Sequence, residues 1–144
     1  MTMNAEELKQ EGNALYKDGK YLKAAATYSQ AIKLDKENGV LYSNRSAALL
    51  QLNKVKKAIA DADECIRLKP DWEKGYFRKG TIYESMDKTE EALEAYKLAL
   101  EKNPDNRDCT NKVKLLTKMV QRQQAKAEKL SKQNFSFDKK ADKK

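Results

Sequence analysis

Histidine is absent from the 144 residues, and with it go the commonest general base and the commonest metal ligand. Cysteine occurs twice, at Cys65 and Cys109, too few and too far apart for a disulfide framework or a Cys-x-x-Cys pair. The five glycines form no phosphate loop and no Gly-x-Ser-x-Gly elbow. No apolar run is long enough to span a membrane, and the first residues do not read as a signal peptide. There is no strand-like alternation. The acids sit at spacings that suit surface pairs on helices, as with Glu90, Glu91 and Glu94 near Lys97. These absences argue against an enzyme, and no cofactor or metal is expected. Two reduced cysteines fit the cytoplasm, or the nucleus.

Charge is unevenly placed. Residues 1–106 hold 18 basic and 18 acidic residues, whereas 107–144 hold 12 basic and 4 acidic, so the whole formal +8 lies in the last segment. A basic segment can serve nucleic acid or an anionic surface. Here it lacks the aromatic–basic interleaving that base stacking needs, and it is read as a solvated helix extension to Lys132 followed by a disordered basic tail at 133–144.

What the chain does have is self-similarity. Ala5–Asn38, Gly39–Trp72 and Glu73–Asn106 align without a gap as three blocks of 34 residues. Position 8 of each block is small (Gly12, Ser46, Gly80), as are position 20 (Ala24, Ala58, Ala92) and position 27 (Ala31, Cys65, Ala99). Small residues there let two helices approach closely. Larger residues fill the space between them, as at position 4 (Leu8, Tyr42, Tyr76) and position 11 (Leu15, Leu49, Tyr83). Pro70 and Pro104 end the second helix of their blocks, because proline lacks an N–H and disfavours a helical residue before it. The pattern predicts helices near 5–18, 21–35, 39–52, 55–68, 73–86 and 89–102. A seventh helix is expected after Asn106. Its apolar stripe is Cys109, Val113, Leu116 and Val120, with Leu115 and Met119 alongside, placed to cap the last block.

Period and pattern resemble the tetratricopeptide repeat over residues 5–106. Repeat 1 departs from it with Lys36 in place of proline, and repeat 2 with Ala62 where a large residue usually stands. The resemblance implies an all-α fold, three tandem helix-turn-helix repeats in a right-handed superhelix plus a C-terminal capping helix. The domain is expected to span 5–132, with 107–132 as cap and extension, and the polar cap makes a monomer the expected state.

In such a stack the first helix of each pair lines the concave groove. Lys9 and Asn13 lie four residues apart on helix 1, Asn44 lies on helix 3, and Lys74 and Arg78 lie four apart on helix 5. Lysine supplies a point charge, arginine a planar fork for a carboxylate, and asparagine neutral donors that orient an anion. Two carboxylates close together suit the set, and a C-terminal aspartate carries both. Tyr16, Ala47, Leu50, Thr81 and Glu84 are neighbouring groove positions and candidate secondary peptide contacts. The strings KQEGNALY (9–16), YSNRSAA (42–48) and KGYFRK (74–79) are similar to those of the dicarboxylate-clamp co-chaperone domains, notably the Hop/Sti1-like stress-inducible proteins. That resemblance implies a clamp of Lys9, Asn13, Asn44, Lys74 and Arg78. Its partner would be the C-terminal Glu-Glu-Val-Asp of cytosolic heat shock protein 70, heat shock protein 90, or both. The alternatives are a repeat scaffold for another protein, or anionic-surface or nucleic-acid binding through the basic C-terminal segment.

Overall fold

The computed structural model describes residues 2–142, with side chains described as far as Asn134. Three antiparallel helix pairs follow one another: α1 (Ala5–Lys17) with α2 (Tyr21–Leu34), α3 (Gly39–Gln51) with α4 (Val55–Leu68), and α5 (Glu73–Ser85) with α6 (Thr89–Lys102). A long α7 (Arg107–Asp142) closes the stack. The described residues contain no strand. Each of the first six helices lies within two residues of its predicted bounds.

The period is visible in the turns as well as the helices. Gly19, Asn53 and Asp87 stand one repeat apart and all take a left-handed backbone, at φ 76°, 59° and 59°. In each turn the following N–H (Lys20, Lys54, Lys88) returns to a carbonyl five residues back, at 2.9 Å, which ends the first helix as a Schellman closure does. Helix starts follow the same period. Asn4 caps the Glu7 N–H, Asn38 caps the Val40 N–H, and Asn106 caps the Cys109 N–H, at 2.8, 3.1 and 3.1 Å. Trp72 holds the equivalent place in repeat 3 and gives no side-chain cap; its indole instead lies under the Lys69 ammonium, 4.3 Å from the ring centroid.

Volume is exchanged between positions 8 and 24. A Cβ at Gly12 would sit 2.5 Å from Tyr28 Cε1, and one at Gly80 would sit 2.6 Å from Tyr96 Cε1. The missing side chain is therefore the space the tyrosine ring fills. Repeat 2 makes the reverse choice, Ser46 with Ala62, both fully buried. The Ser46 hydroxyl then donates to the Ala58 carbonyl at 2.7 Å, joining the two helices. This accounts for Ala62, the departure from the repeat pattern.

The cap forms as the stripe predicts. Cys109 and Leu116 are buried, and Leu116, with Val113 and Val120 beside it, packs on Ala92, Leu93 and Tyr96 of α6. Lys112 pins the arrangement by an ion pair to Glu84 at 2.9 Å. Leu115 and Met119 do not join in: they are 54% and 37% exposed, because they lie on the flank of α7 turned away from α6. The expected disordered tail at 133–144 also differs, since α7 continues as helix to Asp142; Lys143 and Lys144 lie outside the described residues. After Pro104 the chain contains neither proline nor glycine, and from Gln121 to Lys132 it is mostly Gln, Lys, Ala, Arg, Glu and Leu, all good helix formers. From Gln121 to Asn134 every residue is exposed, so this part of α7 stands clear of the repeats.

Candidate functional site

The first helices α1, α3 and α5 carry every predicted groove residue, and hydrogen bonds tie the three together. Asn44 Nδ2 on α3 donates to Asn13 Oδ1 on α1 at 3.1 Å. Arg78 Nε on α5 donates to Ser43 Oγ on α3 at 3.2 Å. Between these bridges lies an open pocket of about 260 Å³. Asn13, Tyr16, Asn44, Ala47 and Arg78 line it, as the sequence suggested. Gln10, Lys17 and Tyr28 line it too and were not anticipated. Gln10 and Lys17 could have been found from their spacing of 3 and 4 residues about Asn13; Tyr28 comes from α2 and carries no such signal.

Arg78 sets the electrostatics. It is half-buried, and among the described residues it makes no ion pair. Burial pulls its pKa below the usual arginine value, which states the cost of holding a guanidinium away from water. The adjacent positions behave differently. Lys79 reaches back to Asp63 on α4 at 2.9 Å. Arg45, next to Asn44, forms a two-bond pair with the buried Asp61 on α4, at 2.7 Å for both bonds, and donates to Ser29 at 3.1 Å. One residue along a helix turns the side chain by about 100°, so one set of cations staples neighbouring helices and Arg78 faces the groove.

The remaining predicted residues divide. Lys9 and Lys74 do not line the pocket. Lys9 is already paired, its Nζ lying 3.1 Å from Glu6 Oε2. Glu6 is itself held below the usual carboxylate range, first by the Gln10 amide and then by Lys9. The pair is i,i+3 and largely exposed on the acid side, so little free energy opposes its exchange for another carboxylate. Lys74 makes no ion pair among the described residues. Glu84 accepts from the Tyr96 hydroxyl at 2.6 Å and pairs with Lys112, so it locks repeat 3 to the cap. Thr81 Oγ1 donates to the Arg78 carbonyl at 2.8 Å. Leu50 packs with the core cluster around Ala48 and Leu49. Tyr16 meets Tyr21 edge to face, centroids 5.2 Å apart, which holds its ring at the pocket's side.

No described helix is long and apolar enough to cross a membrane, and the described residues hold no cluster of three or more metal-ligating side chains. The site is a set of nitrogen donors around a cationic centre, with an apolar floor at Ala47. Chemically, such a set can donate hydrogen bonds to an anion with several acceptor oxygens.

Comparison with known proteins gives the same architecture. Tetratricopeptide repeat profiles match residues 12–53, 40–71 and 73–106. An Hsp70-Hsp90 organizing protein of Triticum aestivum is 43% identical over 102 residues, which is 71% of this chain and 18% of that protein. The heat shock protein STI1 of Saccharomyces cerevisiae is 41% identical over 108 residues, 74% of this chain and 18% of that protein. The chain thus spans about a fifth of the length of these relatives. Among solved structures, the first repeat domain of Spaghetti (RPAP3), bound to the HSP90 peptide SRMEEVD, superposes at a TM-score of 0.75 with 32% identity, covering 81% of this chain and 93% of that one. The TPR2B domain of yeast Sti1 in its Hsp70 complex superposes at 0.75 with 28% identity, covering 82% and 99%. The chain belongs to the tetratricopeptide repeat family, and its relatives include Hop/Sti1-like co-chaperones.

Proposed function

We propose that this chain is a co-chaperone module whose groove binds the C-terminal Glu-Glu-Val-Asp of heat shock protein 70, heat shock protein 90, or both. It works by docking a peptide and not by catalysis. The observation that carries the reading is Arg78: a half-buried cation with no acid paired to it among the described residues, placed with the Asn13 and Asn44 amides around one pocket. A carboxylate entering there offsets, by its opposite charge, the desolvation that lowers the Arg78 pKa and gains charge-assisted hydrogen bonds of about 1.5–3 kcal/mol each. Lys9 joins by exchanging Glu6 for the ligand, and Lys74 extends the cradle along α5. Tyr16 and Ala47 offer apolar surface to a preceding side chain. Two of the solved relatives hold peptides that end in Glu-Glu-Val-Asp, which supports this choice of ligand. After the ordering cost of a short peptide, micromolar affinity is the expectation.

The binding unit is assigned to residues 5–132, acting as a monomer. A cytoplasmic setting suits it, since both cysteines are free and buried. The test is NMR titration of the labelled chain with a peptide ending in Met-Glu-Glu-Val-Asp. Shifts should concentrate on α1, α3 and α5 around Asn13, Asn44 and Arg78. Shifts confined to α2 and α4, or to α7, would assign binding to another surface and defeat the reading.

A further inference from the structure

Tyr28 is a core residue by every ordinary measure. It is 2% exposed, and its ring occupies the space left by Gly12. Yet its hydroxyl reaches the pocket and donates to Asn13 Oδ1 at 2.6 Å. Asn44 Nδ2 donates to the same oxygen at 3.1 Å. Two donors therefore converge on one amide oxygen. An asparagine amide has an acceptor end and a donor end, and filling the oxygen leaves the Asn13 nitrogen as the end free to meet a ligand. Burial also pushes the Tyr28 phenol up to about 12, so the hydroxyl keeps its proton.

Tyr96 provides the internal comparison. It stands at the same repeat position, and its ring likewise covers a glycine, Gly80. Its hydroxyl, however, donates to Glu84 at 2.6 Å. The ring serves packing in both repeats, whereas the hydroxyl does different work in each.

We propose that Tyr28 is a positioning residue of the groove: through the Asn13 oxygen it fixes which end of the Asn13 amide faces the bound carboxylate. This rests on the reading that the groove binds a C-terminal carboxylate. Without the hydroxyl only the longer Asn44 bond holds that oxygen, so the amide turns over more readily and presents its oxygen to the anion, which weakens binding of the charged terminus specifically.

The test uses the full chain and two peptides ending in Met-Glu-Glu-Val-Asp, one a free acid and one amidated, titrated by calorimetry. Tyr28→Phe keeps the ring on Gly12. It should lose about fivefold to tenfold in affinity for the free acid, the range of one hydrogen bond, with the amide unchanged. Preference for the free acid should shrink by the same factor. Tyr96→Phe should leave that preference at the wild-type value. In an Asn13→Ala background, Tyr28→Phe should add no further loss. Undiminished preference in Tyr28→Phe, or losses that simply add with Asn13→Ala, would overturn the assignment while leaving carboxylate recognition intact. A wild type that binds acid and amide alike would refute carboxylate recognition itself, and this inference with it.

Discussion

Ser43 Oγ accepts a hydrogen bond from Arg78 Nε at 3.2 Å. Ser43 is 1% exposed, so the guanidinium is tethered from below by its inner nitrogen while its two terminal nitrogens take no part in that bond. That tether separates Arg78 from the neighbouring Lys79, which an acid on α4 holds.

Replacing Arg78 tests the tether and the fork together. Arg78→Ala should weaken binding of an acidic C-terminal peptide by tenfold or more, about 1.5–3 kcal/mol for the charge-assisted bonds lost. Arg78→Lys should recover part of that, because charge returns without the fork. Neither change breaks an ion pair, so circular dichroism should show unchanged helicity. Unaltered affinity in Arg78→Ala would remove Arg78 from the site.

Gly12→Ala should destabilise the fold by about 1–3 kcal/mol, the range for overpacking. The new methyl would meet the Tyr28 ring, a Cβ there lying 2.5 Å from Cε1. Denaturant unfolding measures this directly, and a stability equal to wild type would contradict the volume exchange between positions 8 and 24.

The cap can be tested with two neighbouring leucines. Leu116 is 2% exposed and packs on Tyr96 and Leu93, whereas Leu115 is 54% exposed. Leu116→Ala should cost about 2–4 kcal/mol through transfer and cavity terms. Leu115→Ala should stay within about 0.5 kcal/mol of wild type. Similar melting temperatures for the two variants would show that α7 does not cap repeat 3.

Alkali should unfold the domain. Burial raises the Cys65 thiol from 9.0 to about 11 and the Tyr28 phenol from 10.0 to about 12. In both cases the unfolded state loses its proton first. The associated stability is therefore complete below pH 9 and is lost as pH rises toward 12. The urea midpoint should be level at neutral pH and fall above pH 9. Cys65→Ala should flatten the lower part of that fall, between pH 9 and 11. A midpoint independent of pH to 11 would count against burial of these groups.

Much of this architecture is legible in the sequence because each repeat solves the same packing problem locally. The small residues at positions 8, 20 and 27 and the turn at Gly19, Asn53 and Asp87 recur every 34 residues, so helix bounds follow from spacing alone. The asparagine caps at Asn4, Asn38 and Asn106 recur at that spacing as well. What spacing does not carry is partner choice across helices. Lys9 and Glu6 are three residues apart, and their pairing could have been read from helical geometry. Glu84 looks like a groove residue on its own helix, and only the placement of α6 and α7 shows it held by Tyr96 and Lys112. Tyr28 is 15 residues from Asn13 and on another helix; its repeat position says core, which is correct for the ring and silent about the hydroxyl. The helical end of α7 was missed for a different reason. Sequence shows that residues 121–142 lack an apolar face to bury, but not that good helix formers continue an already nucleated helix.

The central claim is that the groove reads a chain end, and one calorimetric comparison decides it. The wild-type chain is titrated with a Met-Glu-Glu-Val-Asp peptide as the free acid and as the C-terminal amide. Micromolar binding of the acid, with at least tenfold weaker binding of the amide, is the predicted result. Equal affinities, or no binding of either peptide, would contradict a carboxylate site built on Asn13, Asn44 and Arg78.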